Sequence, residues 1–147
     1  MASWQNFFAP IRRIKQEREF YIVKRLVIAA IDDLFFVAKM RATAGYLGAQ
    51  VRFSRSQQAT IEAASEMSPS LIIVDLHAKQ FDPLALARQL KTDAALRSIP
   101  LLGFFSHVQT ALMQQAREAG FDYVMPRSAF SNKLADILEG KLDERGI

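Results

Sequence analysis

Residues Leu71-Ile72-Ile73-Val74-Asp75 form an unbroken apolar, largely β-branched run that ends on a carboxylate. A strand that is apolar at every position has no polar face to turn to water, so it must be covered on both sides, as strands of a parallel sheet are. Three further apolar runs also end at polar groups: 25–31 at Asp32-Asp33, 101–105 at Ser106, and 123–126 at Arg127. Sheets of this kind gather their chemistry at the carboxyl ends of the strands, so the four ends are expected to converge on one acidic site.

Between these runs the apolar residues recur at helical spacing, and the alternation of the two periods is the pattern of βαβ units. Strands are predicted over 25–31, 50–54, 71–75, 101–105 and 123–125, and helices over 34–47, 57–66, 83–92, 109–119 and 130–139. Asp82-Pro83 supplies an N-cap with proline at the first helical position, while Gly48 and Gly120 stand where helices should stop. The expected fold class is α/β, a five-stranded, doubly wound parallel sheet.

A chain of 147 residues, half of them hydrophobic, suits one compact domain and leaves little room for a separate effector domain. No run reaches the roughly 18 apolar residues a membrane span needs. The stretch from Met1 to Arg25 lacks the apolar middle and cleavage site of a signal peptide, which makes a cytoplasmic protein the expectation. The absence of cysteine excludes disulfides, thiol catalysis and Cys-based zinc sites.

The net charge of +4 is unevenly placed. Residues 1–25 hold Arg12, Arg13, Lys15, Arg18, Lys24 and Arg25 against Glu17 and Glu19, and the rest of the chain is neutral with 13 basic and 13 acidic residues. The basic character therefore belongs to an N-terminal arm, 1–24, and not to the body, 25–147, so no nucleic-acid partner is expected. In the arm Trp4, Phe7, Phe8, Ile11 and Ile14 recur at three- and four-residue spacing with the basic residues mostly between them, the pattern of an amphipathic helix that Pro10 kinks or starts. Such a helix has three uses: docking on its own domain, a homodimer or partner contact, or lying on a membrane surface. Residues 19–25 read as extended.

The five βα units, the acidic pair after the first run and the carboxylate ending the third resemble the CheY-like receiver domain of bacterial response regulators, over about residues 24–140. The resemblance implies a sheet of order 2-1-3-4-5 and a phosphoryl group passed to Asp75 from a sensor histidine kinase or another phosphodonor. It also implies Mg²⁺ held by Asp32, Asp33 and Asp75, Ser106 as the hydroxyl that follows the phosphate, and Tyr123 as the switch aromatic. The residue types suit the chemistry on physical grounds. Phosphoryl transfer needs an in-line nucleophile, a cation on the equatorial oxygens and donors that fix the phosphate, and Mg²⁺ takes one or two carboxylates plus water and phosphate oxygens.

The departures from that pattern are specific. Counted back from Gly48, the family's two acidic positions fall on Ile31 and Asp32, leaving open whether Asp33 takes the lost place. The lysine-proline step expected after the fifth strand is Met125-Pro126-Arg127-Ser128 here, so Arg127 is the candidate phosphate partner, and an arginine is longer and planar where lysine is a point charge. Leu76-His77-Ala78-Lys79-Gln80 lacks the proline usual after the acceptor.

Two readings follow. In the first, the chain is a stand-alone, atypical response-regulator receiver that is not an enzyme, with a downstream protein target met by the surface from Gln109 through Glu139. In the second, it is a phosphorylation-independent adaptor that keeps the fold for its surface alone. His77 and His107 could also bring a transition metal to the same loops, although their spacing fits no metal motif. A hydrolase or ligand-binding protein using the same crevice has no glycine-rich phosphate loop or nucleophile elbow to support it.

Overall fold

Side chains alternate across each strand, and here the alternation divides the core into two apolar layers. The computed structural model describes residues 25–107 and 109–142; the arm, and the extended reading of 19–24, lie outside the described residues. The chain runs β1 (Leu26–Ala30), α1 (Leu34–Leu47), β2 (Gln50–Ser54), α2 (Gln57–Met67), β3 (Leu71–Asp75) and α3 (Pro83–Thr92). It continues through β4 (Leu101–Phe105), α4 (Thr110–Ala119), β5 (Tyr123–Pro126), α5 (Arg127–Asn132) and α6 (Leu134–Glu139). All neighbouring strands pair in parallel, in the order β2-β1-β3-β4-β5.

On one face Ile28, Ala30, Ile72, Val74 and Leu101 pack under Ala63 and Ala64 of α2, Leu86 and Leu90 of α3, and Ala116 of α4. On the other, Val27, Ala29, Ile31, Leu71, Ile73, Leu102, Phe104 and Met125 pack under Phe36 and Met40 of α1, Phe130 of α5 and Ile137 of α6. Both faces are therefore covered, which is why β3 and β4 are buried at every residue while the edge strand β2 is buried only at Ser54.

The boundary signals act as their chemistry requires. Asp82 accepts the Leu84 and Ala85 N–H groups at 3.0 and 3.1 Å, and Gly48 ends α1 at φ +69°, a conformation that costs glycine nothing. The last helix departs from expectation. The single helix predicted over 130–139 is two, beginning at once after Pro126 and broken at Lys133, whose ψ of 8° leaves the helical range. Pro126 is the extended last residue of β5, with α5 starting at the next residue, and Ser131-Asn132 are weak helix formers at the break, beyond which Leu134, Ile137 and Leu138 reach the layer beneath α1.

Candidate functional site

The strand order places the ends of β1, β3, β4 and β5 side by side, so the four polar endings do meet along one edge of the sheet. Asp75 closes β3 opposite Phe104 of β4 and is only 7% exposed. Its Oδ1 accepts the His77 N–H at 2.9 Å, folding the chain into a tight turn after the strand. Burial pushes the Asp75 carboxyl above its ordinary value, and the Asp32 charge adds to that push; the His77 N–H bond and the His77 and Arg127 charges pull the other way without reversing it.

Asp32 follows β1, and its Oδ2 accepts the Lys79 N–H at 2.9 Å, which ties the β1–α1 turn to the loop after Asp75. Asp33 is engaged elsewhere. Its Oδ1 accepts the Phe35 and Phe36 N–H groups at 3.0 and 3.3 Å, capping α1, and its Oδ2 accepts the Arg127 Nη2–H at 2.9 Å. Burial pushes Asp33 up, but the Arg127 hydrogen bond and charge together with the two helix N–H groups hold its carboxyl below its ordinary value. Ile31 is fully buried in the apolar layer under α1, where strand alternation from Val27 and Ala29 places it. The one-residue ambiguity thus resolves into an apolar Ile31, an Asp32 facing the loop of Asp75, and an Asp33 spent on the helix cap and on Arg127.

Arg127, the first residue of α5, lies with its guanidinium 4.7 Å from the centroid of the Phe36 ring while it pairs with Asp33. Ser106 is exposed just past β4 and does not cap α4, which starts at Thr110 with Gln109 in the cap position. Tyr123 is half-buried at the start of β5, opposite Leu102 and packed into the layer of Phe104 and Phe130, about 10 Å along the strand from Pro126. The rings of His77 and His107 approach edge-on with centroids 6.2 Å apart, and the buried His77 Nε2 has no hydrogen-bond partner among the described residues. Sequence reasoning put both histidines at the mouth of the site without foreseeing their contact, because it depends on how two loops approach. Among the described residues no group of three His, Asp or Glu side chains converges to hold a metal.

A cavity of about 500 Å³ opens at the opposite end of the strands, lined by Ser65, Ser68, Ser98 and Pro100 among others, with no titratable side chain. The chemistry-bearing groups are at the carboxyl edge, and the site is placed there.

Asp33→Ala should cost about 1–2 kcal/mol in urea denaturation, nearly all of it from the lost α1 cap, since the half-exposed Arg127 pair adds little. Asp33→Ser, which restores a capping oxygen, should recover most of that loss; equal losses in the two variants would show that the cap is not what Asp33 contributes.

No protein-family profile and no curated protein matches the chain. Solved structures do. A response regulator from Hahella chejuensis superposes with a TM-score of 0.72 at 17% identity, over 80% of this chain and 95% of that one. A response-regulator signal receiver domain from Bermanella marisrubri gives 0.68 at 21%, over 82% and 98%. The chemotaxis response regulator CheY4 of Vibrio cholerae gives 0.69 at 14%, over 80% and 98%. Identities this low speak to architecture alone: from β1 to α6, this chain has the fold of a CheY-like response-regulator receiver domain.

Proposed function

We propose that the chain is an atypical receiver in phosphorelay signalling, with Asp75 as the phosphoryl acceptor. The observation that carries this reading is a nearly buried carboxylate closing the central strand beside a second carboxylate. Asp75 and Asp32 each have one oxygen held by a backbone N–H and one without a hydrogen-bond partner among the described residues. In the transfer, the open Asp75 oxygen attacks phosphorus in line. The bond from phosphorus to the donor breaks, and the departing group keeps the bonding pair. The product is an acyl phosphate on Asp75.

The residues present fit Mg²⁺ with two carboxylates, Asp32 and Asp75, whose mutual repulsion a cation relieves; Asp33 is not available for it. Bound there with waters, Mg²⁺ would neutralise the equatorial phosphoryl oxygens. Ser106 stands on the next strand end, where a hydroxyl can follow a phosphate. Arg127 holds Asp33 through Nη2, and a change of that partner on phosphorylation would couple the site to α5 and the surface from Gln109 through Glu139.

The test is thermal unfolding with Mg²⁺, then with Mg²⁺ and beryllofluoride, for wild type and Asp75→Asn. Wild type should be stabilised by about 1.4 kcal/mol at a tenfold excess over the dissociation constant, and the variant should not respond. Without ligand the order reverses. An acid whose pKa is raised on folding holds its proton more tightly in the native state, so its ionised form costs stability above the raised value. Asp75→Asn should therefore melt above wild type at neutral pH, with the gap closing as pH falls through the raised Asp75 pKa.

The Asp33–Arg127 pair favours a second reading, a phosphorylation-independent adaptor, because it takes both groups away from a phosphate. No response to beryllofluoride in wild type would select that reading.

A further inference from the structure

Leu34, Phe35 and Tyr46, the large apolar side chains that stand exposed among the described residues, all lie on α1, with exposures of 67%, 78% and 92%. Between them the outward side of the helix carries Ala38, Lys39, Ala42 and Gly45, also exposed, with the Lys39 ammonium drawn aside to the Ser131 hydroxyl of α5. Positions 35, 38, 42, 45 and 46 recur every three or four residues, so they form one stripe along the helix. A Cβ built on Gly45 would meet nothing within 4 Å. The stripe is thus a shallow apolar track between Phe35 at one end and Tyr46 at the other, open to close approach by another segment. The fold does not need it, because the inner side of α1 already packs through Phe36, Met40 and Ala44. Apolar surface gathered in this way marks a contact.

We propose that the occupant is the chain's own arm, residues 4–14, docked along the outer stripe of α1. Where the described chain begins favours this occupant. The Arg25 carbonyl accepts the Gln50 N–H at 3.1 Å, so the arm joins the body just past the Gly48 cap, at the Tyr46 end of the helix. Residues 15–24 can span about 33 Å, and the 14 residues of α1 are about 21 Å long, so any position on the stripe lies within reach. A tether of this length holds the arm at millimolar effective concentration.

The chemistry agrees with the geometry. Trp4, Phe7, Phe8, Ile11 and Ile14 offer an apolar side to an apolar track, and the small residues at its centre make room for large rings.

Trp4 is the sole tryptophan, so its fluorescence reports the arm alone. The experiment compares Trp4 emission in the intact chain, in Gly45→Glu and in Ala42→Glu. Both positions are exposed on a helix, and glutamate is a far better helix former than glycine, so the domain should stay folded, checked by far-UV circular dichroism. Docking predicts emission at short wavelength in wild type, unchanged on dilution, and a shift to the wavelength of solvated indole in both variants. Solvated emission in wild type overturns the proposal, as does emission that neither variant moves. A blue shift that grows with protein concentration would overturn it in favour of a second copy of the chain. One that appears only with phosphatidylglycerol vesicles would overturn it in favour of a lipid surface.

Discussion

Phe104→Ala should destabilise the protein by about 3–5 kcal/mol, a large part of the 5–15 kcal/mol that holds a domain of this size. Phe104 is 1% exposed and stacks on Phe130 with centroids 4.6 Å apart and planes 2° from parallel. It also meets Phe36 at 5.3 Å, and Phe36 meets Phe130 at 5.4 Å, so three rings join β4 to α1 and α5. Removing the central ring leaves a cavity that two helices and a sheet cannot close without moving. Equilibrium urea denaturation followed by circular dichroism measures the loss, and a cost below about 1 kcal/mol would mean that the layer repacks freely. The same change reaches the candidate site. Phe36 is the ring on which Arg127 rests, so loosening it should weaken the Asp33–Arg127 pair, visible as an Asp33 carboxyl that titrates closer to its ordinary value.

Gly120→Ala should cost roughly 2–4 kcal/mol, although it adds a single methyl group. Gly120 ends α4 at φ +115°, where an L side chain is strained, and a Cβ there would sit 2.5 Å from the Lys91 Cγ. Lys91 cannot swing aside at little cost. Its Nζ donates to the Arg97 and Ile99 carbonyls, each at 3.2 Å, and to Asp122 Oδ2 at 2.9 Å, and that same oxygen accepts the Leu101 N–H at 2.8 Å. The network ties the end of α3 and the start of β4 to the start of β5. A double-mutant cycle separates the two costs: in a Lys91→Ala background the 2.5 Å collision with Cγ disappears while the 3.3 Å approach to Cβ and the backbone strain remain, so the two losses should sum to more than the double variant shows. Strict additivity would place the whole effect in the backbone.

Most of the architecture is legible along the chain because the forces that set it act between near neighbours. Four apolar runs could only be strands covered on both faces, and Asp82-Pro83, Gly48 and Gly120 mark helix ends through bonds and dihedrals spanning a few residues. The place of Asp75 follows in the same way, since a carboxylate that closes a central strand has to emerge at the carboxyl edge of the sheet. The last helix differs from its sequence expectation at its start and in its continuity, because the apolar spacing of Phe130, Leu134, Ile137 and Leu138 suits one helix or two.

The roles of individual site residues were not legible, and the reason is distance along the chain. Whether Ile31 or Asp33 faces the pocket depends on strand parity counted from β1 and on Arg127, which arrives 94 residues after Asp33 to take its second oxygen. The edge-on contact of His77 and His107 depends on two loops, and the bare stripe on α1 depends on which side of that helix the sheet covers. Residue order along the chain was enough to set the strands, the helix caps and the acidic residue at the end of β3, because each answers to its neighbours. Which carboxylates keep an oxygen without a partner among the described residues, and which is held by an arginine, depends on the sheet bringing distant strand ends together, because hydrogen bonds and ion pairs form across space.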